Sequence, residues 1–316
     1  MLLIATLPVI ALILFGSAEL SQFGILMAIG LVPAAVVQLP ATRRKRILLP
    51  VVGVLFSVSM LIGALLAQVP IVAIFVMGAL AYTVSYFSSK AGLVALSGFA
   101  TAMVLPLIGV GLSYSDVSSI FVMSIAIVGG SVWVYVLSLF RKETQPPERP
   151  IPTPVPKAIA SSYGIFYAVA TLTAVTLAFG LGLEHVGWVV GATLFVMRPS
   201  WQVEKMRIAG RFVSVFIGAN LAALILFLEP SPLLTAIVVA LAVIVAAGTH
   251  GSRWYITPAF TTFIVFFVLL YGDTATSDIA FRLNERVIDT TIGVFIALLF
   301  GLMAKYAIKL DALQSK

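Results

Sequence analysis

GWVVGATLFVMRPSWQVEKMRIAGRFVSVFIG, residues 187–218, holds two apolar runs separated by an Arg-Pro stop and a basic loop. Trp188 stands at the head of the first run and Arg198-Pro199 closes it; Lys205 and Arg207 follow, and Arg211 opens the second run. Two apolar runs joined in this way read as a membrane helical hairpin with its positive charge at the bend. In the second run Gly210, Ser214, Gly218 and Ala222 recur at every fourth position. That spacing puts small residues on one helical face, where another helix can approach closely. The design recurs near the C-terminus, where Arg286 precedes Asp289, Gly293, Ala297 and Gly301.

The composition extends this reading to the whole chain. Of the 316 residues 61% are hydrophobic and 10% charged, against about a quarter charged in soluble domains. The mean hydropathy is +1.14. The expectation is an all-α polytopic membrane protein whose partner along nearly its whole length is the lipid bilayer. Apolar segments run at about 2–18, 22–39, 47–67, 69–88, 91–112 and 118–140, then at 161–183, 186–199, 209–228, 232–249, 254–271 and 286–308. At about 20 residues per crossing these predict about twelve transmembrane helices. No Lys or Arg precedes the first apolar run, as a cleaved secretory signal requires, so that run reads as a span.

Charge sets the orientation. With the N-terminus cytoplasmic, all of the 19 Lys and Arg residues except Arg282 and Arg286 are assigned to the inner side, and most carboxylates to the outer side. This asymmetry predicts an even number of spans with both termini cytoplasmic. The net charge of +7 is therefore a membrane-orienting charge, and no nucleic-acid partner is expected.

RKETQPPERPIPTPVPK, residues 141–157, carries six prolines, at 146, 147, 150, 152, 154 and 156. It reads as a semi-rigid cytoplasmic spacer between two membrane halves, residues 1–140 and 158–316. The halves look like divergent repeats: Gly24 to Gly53 encloses a helix, a basic loop at 43–46 and the next helix, in the order found from Gly187 to Gly218. Two parallel six-helix repeats, each inserted the same way up, place a pseudo-twofold axis along the membrane normal and a pathway between the halves.

No catalytic constellation emerges. With no cysteine there is no disulfide framework, thiol nucleophile or thiolate metal site. His185 and His250 fall in loops on opposite sides of the predicted membrane and cannot share a metal. Gly129-Gly130 and Gly180-Leu181-Gly182 lack the Lys-Ser/Thr of a phosphate-binding loop. Neither an enzymatic activity nor a metal or other cofactor is expected.

Polar residues inside the helices remain, and at membrane depth such residues are functional candidates. Arg282, Glu285, Arg286 and Asp289, spaced three and four apart, form one helical stripe leading into the Gly293 face. Arg286 and Asp289 read either as an anion-binding arginine with a titratable partner or as an interfacial ion pair that anchors the helix. Arg211 is a second cation at a helix entry, or an ordinary positive-inside anchor. Asn220 is placed to coordinate a substrate or to bond a neighbouring helix. Pro258, flanked by Thr257, Thr261 and Thr262, predicts a kink that frees the Trp254 carbonyl and turns polar groups toward a cavity. Phe260, Phe263, Phe266 and Phe267 read as packing or lipid-facing groups, or as contacts to an aromatic ligand.

The order of these motifs resembles the fusaric acid resistance (FUSC) and aromatic acid exporter family. The resemblance rests on Gly187-Trp188 through Arg198-Pro199-Ser200, Arg211 with Gly218, the aromatic run Tyr255 to Leu270, and Arg286-Val-Ile-Asp289-Thr-Thr-Ile-Gly293. It covers about residues 160–305, with the first half a looser copy. It implies a multi-pass component of a bacterial inner membrane that effluxes aromatic carboxylic acids or related organic anions, commonly beside a periplasmic membrane-fusion adaptor. It also implies kinship in design with plant malate channels. Longer members carry a cytoplasmic helical domain; only 141–157 stands at that place here.

The resulting expectation is an exporter of small organic anions through a path between the halves. Arg286 attracts the carboxylate, Asp289 couples protons, and Arg211, Asn220, Thr257 and Thr261 contribute further contacts. Gly210, Ser214, Gly218, Gly293, Ala297 and Gly301 permit close helix packing, within the protomer or in a homo-oligomer. A passive anion channel and a non-transporting membrane scaffold or assembly protein are the alternatives.

Overall fold

The computed structural model describes residues 2–37, 39–144, 153–249, 256–270 and 276–314. These contain helices and connections, with no strand among the described residues. In chain order the helices are α1 Leu2–Ala5, α2 Leu7–Phe15, α3 Ala18–Val37, α4 Leu48–Ala67, α5 Pro70–Phe87, α6 Val94–Phe99, α7 Leu105–Gly111 and α8 Val117–Leu139. After the linker come α9 Lys157–Gly180, α10 Val186–Val196, α11 Trp201–Phe227, α12 Pro232–Gly248, α13 Ile256–Leu270 and α14 Thr276–Gln314.

Among the described residues 7 helical stretches are long and apolar enough to cross a membrane: Arg43–Ala67, Pro70–Phe87, Ala91–Gly111, Val117–Leu139, Lys157–Gly180, Trp201–Phe227 and Ile279–Lys309. Shorter apolar stretches lie at Glu19–Leu31, Val186–Val196 and Pro232–Ala246. Large apolar side chains are widely exposed on these helices, as with Phe75 at 68%, Phe121 at 59% and Phe295 at 63%. An apolar exterior is what a lipid solvent calls for.

Several local departures from the expected spans have identifiable causes. The run 91–112 is not one regular helix: a π-helical turn at Ala100–Val104 joins α6 to α7, with the Leu105 N–H reaching back to the Ala100 carbonyl. Pro106 follows at once and has no N–H to donate one turn back, so the ladder is already interrupted at this point. The last helix is already helical at Thr276, ahead of the apolar segment at 286, and no proline or glycine interrupts it before Gly293. The kink expected at Pro258 turns on Trp254, which lies outside the described residues; α13 is described from Ile256. Residues 145–152 of the proline spacer and His250 also lie outside the described residues.

The chain forms two compact units, and each draws on both sides of the linker. The first comprises Met1–Val58, Phe121–Glu148 and Val213–Val287; the second comprises Ser59–Ile120, Arg149–Phe212 and Ile288–Lys316. In the first unit α2 packs on α3, and α12 packs on α2, α3 and α13, with α13 also on α3. In the second unit α9 packs on α10, α5 packs on α9 and α7, and α10 packs on α7.

Small residues set the closest approaches. In the first unit α3 and α8 meet at Gly30 and Gly130: a methyl on Gly130 would stand 2.5 Å from the Met27 carbonyl oxygen and 2.9 Å from Gly30 Cα. The Ser131 hydroxyl donates across this contact to the Gly30 carbonyl, 3.0 Å away. Gly129, the adjacent residue, faces open space. Gly130→Ala is therefore expected to destabilise the protein by about 1–3 kcal/mol through overpacking. Gly129→Ala should stabilise it by about 0.5–1 kcal/mol, because the helix loses a flexible residue at no steric cost. Denaturant titration of the two variants in detergent checks the opposite signs.

At the head of α8, Asp116 accepts the backbone N–H groups of Ser118 and Ser119, each at 3.0 Å, together with both hydroxyls. The Ser119 and Ser118 hydroxyls, then the backbone donors, hold its carboxyl well below the usual carboxylate range. This is an N-terminal helix cap that also complements the helix dipole.

Candidate functional site

The second unit is organised around α10, the first helix of the hairpin at 187–218. From Val186 to Val196 every residue except Phe195 is buried. A helix this apolar on all sides belongs in a core. At 11 residues it is about 16 Å long, roughly half the hydrocarbon thickness. Its N-terminal end is fixed by the Gly187 N–H donating to Ser113 Oγ at 2.8 Å, and by His185 stacked on Trp188 with ring centroids 4.2 Å apart.

The C-terminal end of α10 leaves carbonyls without helical partners, because Pro199 stops the chain from continuing. The basic loop supplies the donors. Arg198 Nη1 reaches the Leu194 carbonyl at 3.2 Å and the Met197 carbonyl, and Arg207 Nη1 reaches the Phe195 carbonyl at 3.1 Å. Arg211, 8% exposed, stacks over the Phe195 ring at 5.1 Å. These cations also complement the negative end of the α10 dipole. Arg198 and Arg207, read as orientation signals in the sequence, act in the structure as a cap on the end of α10.

Two features of this turn carry little sequence signal. Glu204, 1% exposed, accepts the Arg198 backbone N–H at 3.2 Å and lies against Gly301 of α14, where any side chain would overlap the carboxylate. Tyr163 and Tyr167 of α9 stack at 5.6 Å beneath it in the core and are both almost fully buried. The Gly301 spacing was the available clue to Glu204, since a glycine on a close-packing face marks the place where another group comes in.

Along α14 the polar stripe is continuous. Arg282 and Glu285 form an ion pair at 3.2 Å. Arg286 is 7% exposed, Asp289 1% and Thr290 1%. One turn further, Gly293 meets α10: a methyl there would stand 2.7 Å from Ala192 Cβ and overlap the Val189 carbonyl oxygen. The Thr193 hydroxyl spans the contact, donating to the Gly293 carbonyl at 3.0 Å. Ala297 is fully buried beyond it. Arg211, Asp289, Gly293, Ala297 and Gly301 thus all belong to the second unit, where Gly293 meets α10 and Gly301 meets Glu204.

The other candidates are placed elsewhere. In the first unit, Gly218 of α11 meets the backbone of α13, 3.1 Å from Phe263 N for a built methyl, and Ser214 is fully buried. Beside them Val213, Ile217, Ala259 and Phe263 line an apolar cleft of about 190 Å³. Phe263, Phe266 and Phe267 are buried packing groups. Asn220 donates to the Phe216 carbonyl one turn back in its own helix at 2.7 Å. Gly210 is buried. The side chains of Thr257 and Thr261 lie outside the described residues.

The stretch from α9 to α14 holds all of these candidates, and comparison with known families falls on it. Residues 165–300 match the family described as Fusaric acid resistance protein-like. The FUSC family resemblance read from the sequence holds over that stretch, which includes the buried α10, the Gly218 face and the whole Arg286–Gly293 motif. No curated protein and no solved structure matches the chain.

Proposed function

We propose that the protein is a transporter, not an enzyme, that exports small organic anions across a bacterial inner membrane, aromatic carboxylic acids foremost. The observation that carries this reading is the set of buried ionisable groups in the FUSC-like stretch: Arg211, Arg286 and Asp289 sit on apolar, small-residue helices with exposures of 8%, 7% and 1%. Burying charge in a membrane protein is costly and is retained where an ion or a proton is handled. Arg286 recognises the carboxylate, Asp289 exchanges the coupling proton, and the apolar cleft at Gly218 and Phe263 suits an aromatic ring. Both termini are cytoplasmic, and a periplasmic adaptor or a second copy of the chain completes the assembly.

Two parallel six-helix repeats are part of the same proposal, and the packing supports it. In order of apolar segments, the first unit joins the first and second to the tenth and eleventh, while the second joins the seventh and eighth to the fourth and fifth. Exchanging the two halves converts one set into the other. The residue shift that takes Gly24 to Gly187 also takes the Gly30–Gly130 contact to the Thr193–Gly293 contact. A repeated sequence folding twice by the same rules produces this correspondence.

The test is flux in proteoliposomes. Arg286→Ala should lower transport of aromatic acids by roughly 10- to 100-fold, the worth of a charge-assisted hydrogen bond, with thermal stability in detergent retained. Unchanged flux across a panel of aromatic acids would remove Arg286 from the mechanism. Steady anion current without a pH gradient would replace the exporter by a passive channel.

A further inference from the structure

The first unit carries a cationic pocket that the transport reading does not use. It is half-open, about 450 Å³ in volume, and lined by Leu39, Pro40, Arg46, Arg141, Lys142 and Thr144. Its walls come from the segment before α4 and the segment after α8. Arg46, 1% exposed, ties the two together: Nε donates to the Pro40 carbonyl at 3.2 Å, Nη1 to the carbonyls of Ser138 and Arg141, and Nη2 to the Lys142 carbonyl at 3.0 Å. The Arg43 N–H donates to Glu143 Oε1 at 2.6 Å, and the Thr144 N–H to the Ala41 carbonyl at 3.1 Å. The two segments are thus tied together by hydrogen bonds centred on the buried Arg46 side chain.

Its charge is strongly one-sided. Arg141 and Lys142, which line it, are exposed, as are Arg43, Arg44 and Lys45 in the segment before α4, and Glu143 is the acidic residue in the two segments. No ion pair engages Arg141 or Lys142 among the described residues. A guanidinium has five N–H groups; the four carbonyls on Arg46 leave one on Nη2.

Location selects the ligand. The pocket lies at the ends of two candidate membrane spans, Arg43–Ala67 and Val117–Leu139. Apolar side chains follow immediately on both walls: Phe140, 83% exposed, precedes Arg141, and Ile47, just before α4, is exposed together with Leu48 and Val51 at the start of α4. Cations at headgroup depth beside an apolar surface fit a phosphate with acyl chains attached. We propose that this pocket binds the headgroup phosphate of an anionic phospholipid, with its acyl chains along the exposed faces of α4 and α8. Arg141 and Lys142 supply the charge that recognises the lipid, and Arg46 keeps the pocket in shape.

The test is native mass spectrometry of the purified, delipidated full chain titrated with phosphatidylglycerol or phosphatidylethanolamine. The wild type should bind phosphatidylglycerol in preference. The double variant Arg141→Ala/Lys142→Ala should bind it roughly 30-fold more weakly, about fivefold for each interfacial cation. Because both side chains are exposed, folding is expected to survive, and an unchanged melting temperature verifies it. Lys90→Ala, which removes an exposed cation of the second unit, should change binding by less than about twofold. Equal binding of the two lipids, an unaffected double variant, or full displacement of phosphatidylglycerol by millimolar inorganic phosphate would each overturn the proposal, the last by assigning the pocket to a free anion.

Discussion

Arg46→Ala is expected to destabilise the protein by about 3–5 kcal/mol, since it removes several hydrogen bonds from a charged donor, each worth about 1.5–3 kcal/mol and partly replaceable by water. The guanidinium is the sole side chain bridging Pro40, Ser138, Arg141 and Lys142 in the described hydrogen bonds. Truncation leaves the carbonyls of Pro40, Arg141 and Lys142 without the guanidinium donors, while that of Ser138 keeps the Arg141 backbone N–H at 3.0 Å; each lost bond costs about 1–3 kcal/mol unless water replaces the N–H. Arg44→Ala is the informative comparison. It removes the same charge two residues away from an exposed position, where substitutions stay within about 0.5 kcal/mol. Arg46→Lys should recover only part of the loss, since an ammonium has three donors and no planar fork. Denaturant midpoints in one detergent separate the three variants; equal midpoints for Arg46→Ala and Arg44→Ala would show that the bridge contributes nothing.

Gly293→Val is expected to cost about 3 kcal/mol, at the upper end for overpacking. The new side chain would overlap the Val189 carbonyl oxygen and press on Ala192 Cβ, 2.7 Å from the first added carbon. Neither wall can yield by a rotamer change, since one is helix backbone and the other a methyl. Separation of α10 from α14 would also break the 3.0 Å bond from Thr193 to the Gly293 carbonyl. Gly180→Ala, at a position with nothing within 4 Å of the added carbon, should be silent by comparison. A second readout is flux in proteoliposomes: the displaced helix carries Arg286 and Asp289, so transport should fall even in a lipid that keeps the variant folded. Wild-type stability and flux together would mean that the α10–α14 contact is looser than this packing.

How much was legible in advance varied by feature. Apolar runs place helices well, because a backbone in lipid must satisfy its own hydrogen bonds and a helix does so locally. The small-residue spacing around Gly218 and Gly293 likewise points to close approaches, since a missing side chain is informative whatever packs there. The number of crossings was harder. Val186–Val196 is as apolar as a span, yet it is short and buried on nearly all sides. Hydrophobicity alone does not distinguish lipid from protein as the surrounding medium.

By itself, then, the amino-acid order pointed to an all-helical membrane protein, the positions of most of its helices, its small-residue faces and the polar stripe from Arg282 to Asp289. These follow from local terms: side-chain hydropathy, backbone self-satisfaction and helical periodicity. Tertiary structure decided which of the charges are buried. Arg44 and Arg46 read identically in the basic loop, but one is exposed and the other is closed over by the end of α8. It also decided that Glu204 would fill the space at Gly301, and that each compact unit would combine helices from both halves of the chain. Those outcomes depend on partners about a hundred residues apart, as with Arg46 and Lys142 at a separation of 96, and no local pattern encodes which carbonyl a distant guanidinium will meet.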